Sequence, residues 1–194
     1  MALTPSTMLP LGTPAPEFAL PDVVSGDTIS LQTFHDRDAL LVAFICVHCP
    51  FVKHIETQLA QIGRDYQGSA LGMLAISSNS IETHPQDSPE HLKAMADRLG
   101  FTFPYGFDQT QAVAKTFTAA CTPDFFLFAK AENQLFKLVY RGQLDESRPS
   151  NGLPVTGQDL RTAIDAVLAH QPIDGNQKPS IGCNIKWTPG NEPG

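Results

Sequence analysis

Seven apolar residues, Ala39 to Ile45, run without a break into Cys46-Val47-His48-Cys49-Pro50. A run of that length with no polar position reads as a strand buried on both faces, of the kind that sits inside a parallel sheet covered by helices. After Pro50 the period changes. Phe51, Ile55, Leu59 and Ile62 recur at helical spacing, and Gly63 or Gly68 is expected to end the helix. A buried strand that feeds a helix and then a second buried strand, Ala70–Ser77, forms a βαβ unit, which crosses over right-handed. The two cysteines stand at the carboxyl end of the first strand, where open α/β sheets place their sites.

The rest of the chain fits that frame. Glu17–Leu20 and Thr28–Leu31 flank turn chemistry at Pro21-Asp22 and Ser25-Gly26-Asp27 and read as a short hairpin. Ser78–Pro89 is a polar loop. Ser88 caps a helix from Pro89 to Leu99, and Gly100 stops it. Asp108 is expected to cap a short helix over Gln109–Thr118. Phe125–Ala129 is an apolar strand, and Gln134–Arg141 alternates as its antiparallel partner after a turn at Asn133. Gln158–His170 carries the helical set Leu160, Ile164, Val167 and Leu168. The order β-α-β-α-β-β-α predicts a mixed-sheet α/β sandwich over residues 12–170. The tail, residues 171–194, has four prolines and four glycines, so no regular core element is expected there. Ile181, Ile185 and Trp187 nevertheless predict that it packs back on the domain, since such groups gain roughly 1.5–3 kcal/mol each when buried.

At 194 residues the chain is long enough for one core without a disulfide or metal staple. Thirteen basic against 20 acidic residues give a net charge of −7, and no basic cluster is present, which argues against nucleic acid as partner. No apolar run approaches the ~20 residues that cross a bilayer. The proline-rich start has no positive charge before its apolar residues and does not read as a signal peptide, so a cytoplasmic location is expected. Four cysteines in a reducing compartment point to redox chemistry or metal binding.

Cys46 and Cys49 can close a disulfide. A loop of four residues constrains the unfolded chain by only about 2 kcal/mol, against about 5 for a loop of well over a hundred, so such a bridge is a poor staple and a good redox centre. His48, if protonated, would favour a neighbouring thiolate. Pro50 bears on the choice of nucleophile. Proline prefers the first helical position, and the residue before it avoids helical dihedrals, so Cys49 is a candidate helix cap with its sulfur facing free N–H groups. A helix beginning at Cys46 is the alternative, and the spacing leaves both open.

Phe18-Ala19-Leu20-Pro21-Asp22, the apolar strand, Cys46-Val47-His48-Cys49 and Thr122-Pro123 together resemble the thioredoxin superfamily. More narrowly they resemble its redoxin branch, the alkyl hydroperoxide reductase/thiol-specific antioxidant-like proteins. The resemblance implies a thioredoxin-like three-layer sandwich, a mixed central sheet with helices on both faces, and an N-terminal hairpin extension. It implies that Pro123 is cis and packs against the cysteine pair, that Cys46 is exposed and attacks, and that Cys49 resolves. Thr122 and Pro123 would present backbone to a bound partner. The chain departs from the pattern: Ile45 replaces the usual tryptophan, Val47-His48 replaces Gly-Pro, and Ala43 stands where a peroxiredoxin has threonine.

The expected function is a thiol–disulfide oxidoreductase acting on a protein or small-molecule thiol or disulfide, with no organic cofactor and no resident metal, as a monomer or weak homodimer. One alternative is a thiol-dependent peroxide reductase using the same sulfurs, with Arg141 as a candidate cation. Another is a copper or zinc carrier using Cys46, Cys49 and His48 or His54. Cys121 and Cys183 are candidate auxiliary thiols, expected to pair as a relay at the rim beside Pro123. The other histidines show no ligand spacing.

Overall fold

The computed structural model describes residues 3–193. Along the chain they form β1 (Leu3–Pro5), β2 (Ala19–Pro21), β3 (Thr28–Ser30), β4 (Ala39–Phe44), α1 (Pro50–Asp65), β5 (Leu71–Ser77) and α2 (Pro89–Leu99). There follow β6 (Tyr105–Phe107), α3 (Ala112–Thr116), β7 (Cys121–Thr122), β8 (Asp124–Lys130), β9 (Phe136–Gly142), α4 (Gln158–Leu168) and β10 (Ile181–Asn184).

The central sheet has the order β6-β5-β4-β8-β9. Strands β4, β5 and β6 run parallel, while β8 and β9 run antiparallel. Alternation along β4 divides the core. Leu41 and Ala43 face one cluster with Leu59, Ile62, Met95, Leu160 and Ile164 from α1, α2 and α4. Leu40, Val42 and Phe44 face the other, with Val113 and Ala114 of α3 and the rings of Phe117, Phe126 and Phe128. Helices therefore cover both faces of a mixed sheet, the thioredoxin-like sandwich. The hairpin β2–β3 pairs Ala19 with Ser30 at its edge. No helix among the described residues is long and apolar enough to cross a membrane.

Three local expectations are corrected. Gly63 lies inside α1, where a β-carbon would fall 2.6 Å from the Phe103 ring, so it serves close packing and not termination. Helix α3 starts at Ala112 and not at Gln109, because Gln111 adopts a left-handed φ of 62°; the Asp108 carboxylate still accepts an N–H of its first turn, that of Ala114, together with Ser78 Oγ. The tail forms a strand after all: β10 lies between β1 and β7 in a separate three-stranded sheet.

Candidate active site

The site grows out of the β4–α1 junction. Cys49 has an extended backbone, φ −70° and ψ 124°, and is the N-cap, with Pro50 as first helical residue. The steric demand of proline on the residue before it decides between the two possible helix starts. Both Cys46 and Cys49 are 0% exposed, which corrects the expectation that Cys46 is the exposed thiol.

The Thr122–Pro123 bond is cis and closes the site from the other side. Thr122 Oγ1 lies 3.4 Å from Cys46 Sγ, and the Thr122 carbonyl oxygen 3.2 Å from Cys49 Sγ. The nearest thiol partner of Cys183 is Cys49, with the sulfurs 2.8 Å apart. Cys121 instead points its sulfur to the Pro123 carbonyl oxygen at 3.5 Å. The register explains this. Cys183 sits opposite Thr122 and Asn184 opposite Cys121, so the side chains of Cys183 and Cys121 alternate to opposite faces. The Cys121–Cys183 pairing expected from the sequence is not the one that the fold assembles.

The electrostatics separate the sulfurs. The hydrogen bond that it donates to Cys49, then burial and the Asp87 charge, push the Cys46 thiol well up. The Cys46 hydrogen bond pulls Cys49 down to about 4; burial opposes it, and the Cys183 thiol and the Val52 N–H in the first turn of α1 add to it. The Val52 contact falls short of full cap geometry. The Thr122 carbonyl works against the thiolate. The helix start and the neighbouring thiols thus favour the thiolate at Cys49 over one at Cys46. Burial, followed by the hydrogen bond to Cys49, pushes Cys183 up to about 12. Burial and the nearby Asp124 push Cys121 up as well.

His48 does not turn to a sulfur. Its Nδ1 lies 2.5 Å from Oδ2 of Asp87, a fully buried carboxylate. Asp87 also accepts the Val47 and His48 N–H groups and the Asn79 amide. Burial pushes Asp87 up, but His48 and Asn79 outweigh it and hold the carboxyl below its usual range. The ring of His84 lies 4.7 Å from that of His48. Asp87, Asn79 and His84 were missed in the sequence, where they sat in a segment read only as a polar loop. Its position at the carboxyl end of the second buried strand was the available signal.

Cys46, His48 and Asp87 offer donor atoms within 4.8 Å of one another. Both Asp87 oxygens and His48 Nδ1 are already engaged in hydrogen bonds, so this cluster does not fit a metal without dismantling them. His54 is bonded to Ser147 Oγ at 2.7 Å. Arg141 donates to the Leu9 carbonyl and to Gln177, away from the thiols.

The model of the AhpC/TSA family matches residues 11–135. The chain belongs to the AhpC/TSA family. The match includes Cys46, Cys49, Thr122 and Pro123 and stops short of β10. Two solved structures are similar over nearly the whole length. An uncharacterized conserved protein from Geobacillus kaustophilus is 49% identical, with 97% of this chain and 98% of that one covered and a TM-score of 0.93. A hypothetical protein from Sinorhizobium meliloti is 48% identical, with 96% and 100% covered and a TM-score of 0.92. The thioredoxin domain of a thiol-disulfide oxidoreductase from Bacteroides vulgatus shares the fold at 17% identity and a TM-score of 0.61, over 82% and 99% of the two chains. No curated protein matches the chain.

Proposed function

We propose that this AhpC/TSA protein is a thiol–disulfide oxidoreductase whose redox centre is the Cys46-Val47-His48-Cys49 dithiol, with Cys49 as nucleophile. The observation that carries the reading is the place of Cys49 at the N-cap of α1, with Thr122, the residue before cis Pro123, in contact with both sulfurs. The Cys49 thiolate attacks one sulfur of a substrate disulfide. A Cys49–substrate S–S bond forms, the substrate's own S–S bond breaks, and its second sulfur leaves with the electron pair and takes a proton from water. Cys46 then loses its proton and attacks Cys49 Sγ. The Cys46–Cys49 bridge closes, the bond from Cys49 to the first substrate sulfur breaks, and that sulfur leaves with the electron pair and takes up a proton as a thiol. Two electrons have passed from the protein to the substrate, and the reverse sequence oxidises a dithiol.

His48 and Asp87 are positioning residues in this scheme. Asp87 ties the Val47 and His48 backbone to the Ser78–Pro89 segment and fixes the turn that presents both sulfurs. We place the reaction in the cytosol, where buried thiols are kept reduced between turnovers. Titration of the native protein against reduced and oxidised glutathione, followed by alkylation and mass spectrometry, tests the reading. Reversible loss of the Cys46 and Cys49 thiols together supports it; two thiols that stay alkylatable at every ratio overturn it.

A peroxide substrate is the second reading, favoured by the thiolate at Cys49. Arg141, engaged elsewhere, lends it no support. Turnover of hydrogen peroxide with a thiol reductant separates the two readings.

A further inference from the structure

Strand β10 touches the redox centre in a way that the reaction above does not use. It pairs antiparallel with β7, placing Cys183 opposite Thr122, directly before cis Pro123. Its fit is close: a β-carbon at Gly182 would fall 2.0 Å from the Thr122 carbonyl oxygen. Its other edge is covered by β1, with Leu3 opposite Cys183, and Ser6 and Ser180 exchange hydrogen bonds at its start. Beyond it, the Lys186 N–H donates to Asn79, the same residue whose amide holds Asp87. The strand is thus fastened at both ends and along both edges, and it holds Cys183 Sγ 2.8 Å from Cys49 Sγ. Cys49 is the sulfur in contact with both of the other two.

On the proposed function, a substrate sulfur has to reach Cys49; β10 fills the backbone edge of Thr122 beside it and already sets a cysteine against that sulfur. We propose that β10 is a built-in partner strand and that Cys183 is a third redox thiol, which exchanges with Cys49 to form an intrachain Cys49–Cys183 disulfide. This inference rests on the reading of Cys49 as the reactive sulfur. In the exchange the Cys183 thiolate attacks Cys49 Sγ of the Cys46–Cys49 bridge. The Cys49–Cys183 bond forms, the Cys46–Cys49 bond breaks, and Cys46 leaves with the electron pair and takes up the proton that Cys183 gave. No external oxidant enters, because the bridge made in the first reaction supplies the oxidation state. The same attack on a mixed disulfide at Cys49 lets Cys183 resolve it in place of Cys46.

The test uses the full chain with Cys46→Ser and oxidised glutathione, quenched with N-ethylmaleimide and mapped by mass spectrometry of non-reduced peptides. The expected product is the Cys49–Cys183 linked pair, in about tenfold or greater excess over the Cys49–glutathione adduct, since an intramolecular thiol acts at an effective concentration of order millimolar or more. A stable glutathione adduct on Cys49 with Cys183 alkylated, or a Cys121–Cys183 link, overturns the proposal. The unsubstituted protein is mapped in parallel across the glutathione titration, so the outcome does not depend on the variant folding. Both Cys46–Cys49 and Cys49–Cys183 links are expected there. Cys46–Cys49 alone, with Cys183 alkylated at every ratio, overturns the exchange and leaves the proposed function standing. A Cys49–Cys183 link without any Cys46–Cys49 link overturns the proposed function instead.

Discussion

The neighbours of Cys49 draw its pKa down, and that shift is measurable. Thiolate absorbance near 240 nm should titrate with a midpoint of about 4 in the reduced protein. Cys49→Ser should abolish that transition, and Cys46→Ala should move it upward by removing the principal hydrogen-bond donor. A transition that survives Cys49→Ser would place the thiolate elsewhere. Asp87 is the second residue whose role is sharp. Four donors converge on its buried carboxylate, so Asp87→Ala leaves them unpaired and should cost about 3–5 kcal/mol in urea unfolding. Asp124 gives a pH signature. Burial pushes its carboxyl up to about 8, and its Oδ1 has no hydrogen-bond partner. Its folded pKa is raised above the unfolded value, so its contribution is fully present below the unfolded pKa and is lost as pH rises through the folded one. The difference in stability between the native protein and Asp124→Asn should therefore shift in favour of the variant by about 1.4 kcal/mol per pH unit from roughly pH 4 to 8, and level off above. A flat difference across that window would show that Asp124 ionises normally.

At the scale of elements, the placement of β10 depends on the absence of a side chain at Gly182. A methyl group at Gly182 cannot be accommodated against the Thr122 carbonyl without moving one of the two backbones. Gly182→Ala should speed amide hydrogen exchange in β10 and at Thr122 while the five-stranded sheet keeps its protection. Equal protection of β10 in both proteins would mean that β1 alone secures the strand. The elements differ in how legible they were. Helix α1 offered Pro50 as one of two possible starts and showed its buried face through Ile55 and Leu59, because both signals are local. Gly63 misled, since its reason for being small is the Phe103 ring, 40 positions away in the chain and invisible to helical periodicity. Asp108 does hold the first turn of α3 through the Ala114 N–H, but the left-handed Gln111 moves the helix start three residues on from Gln109. The tail strand was hidden by its prolines and glycines, although the alternation of Ile181, Cys183 and Ile185 carried a period of two.

For the molecule as a whole, the choice of disulfide partner sets how strongly oxidation stabilises the fold. A Cys46–Cys49 bridge closes four residues and should add about 2 kcal/mol at most, whereas a Cys49–Cys183 bridge ties the tail to the start of α1 and should add up to about 5 kcal/mol. Oxidised and reduced Cys46→Ser protein compared in guanidinium unfolding should differ by an amount nearer the larger figure. A difference of 2 kcal/mol or less would indicate that the long loop is not being closed, or that closing it strains the native strand.

The amino-acid sequence alone determined the strand–helix junction at Cys46–Pro50, the α/β class and the dithiol, because each follows from contiguous residues: an unbroken apolar run, a change of period, and the dihedral limits of proline. Only the tertiary structure decided what surrounds each sulfur and which sulfurs meet. Those depend on Asp87, about 40 positions from the cysteines, and on Cys183, 134 positions from Cys49. Contacts across such separations are set by strand register and helix packing, and no local pattern in the chain encodes them.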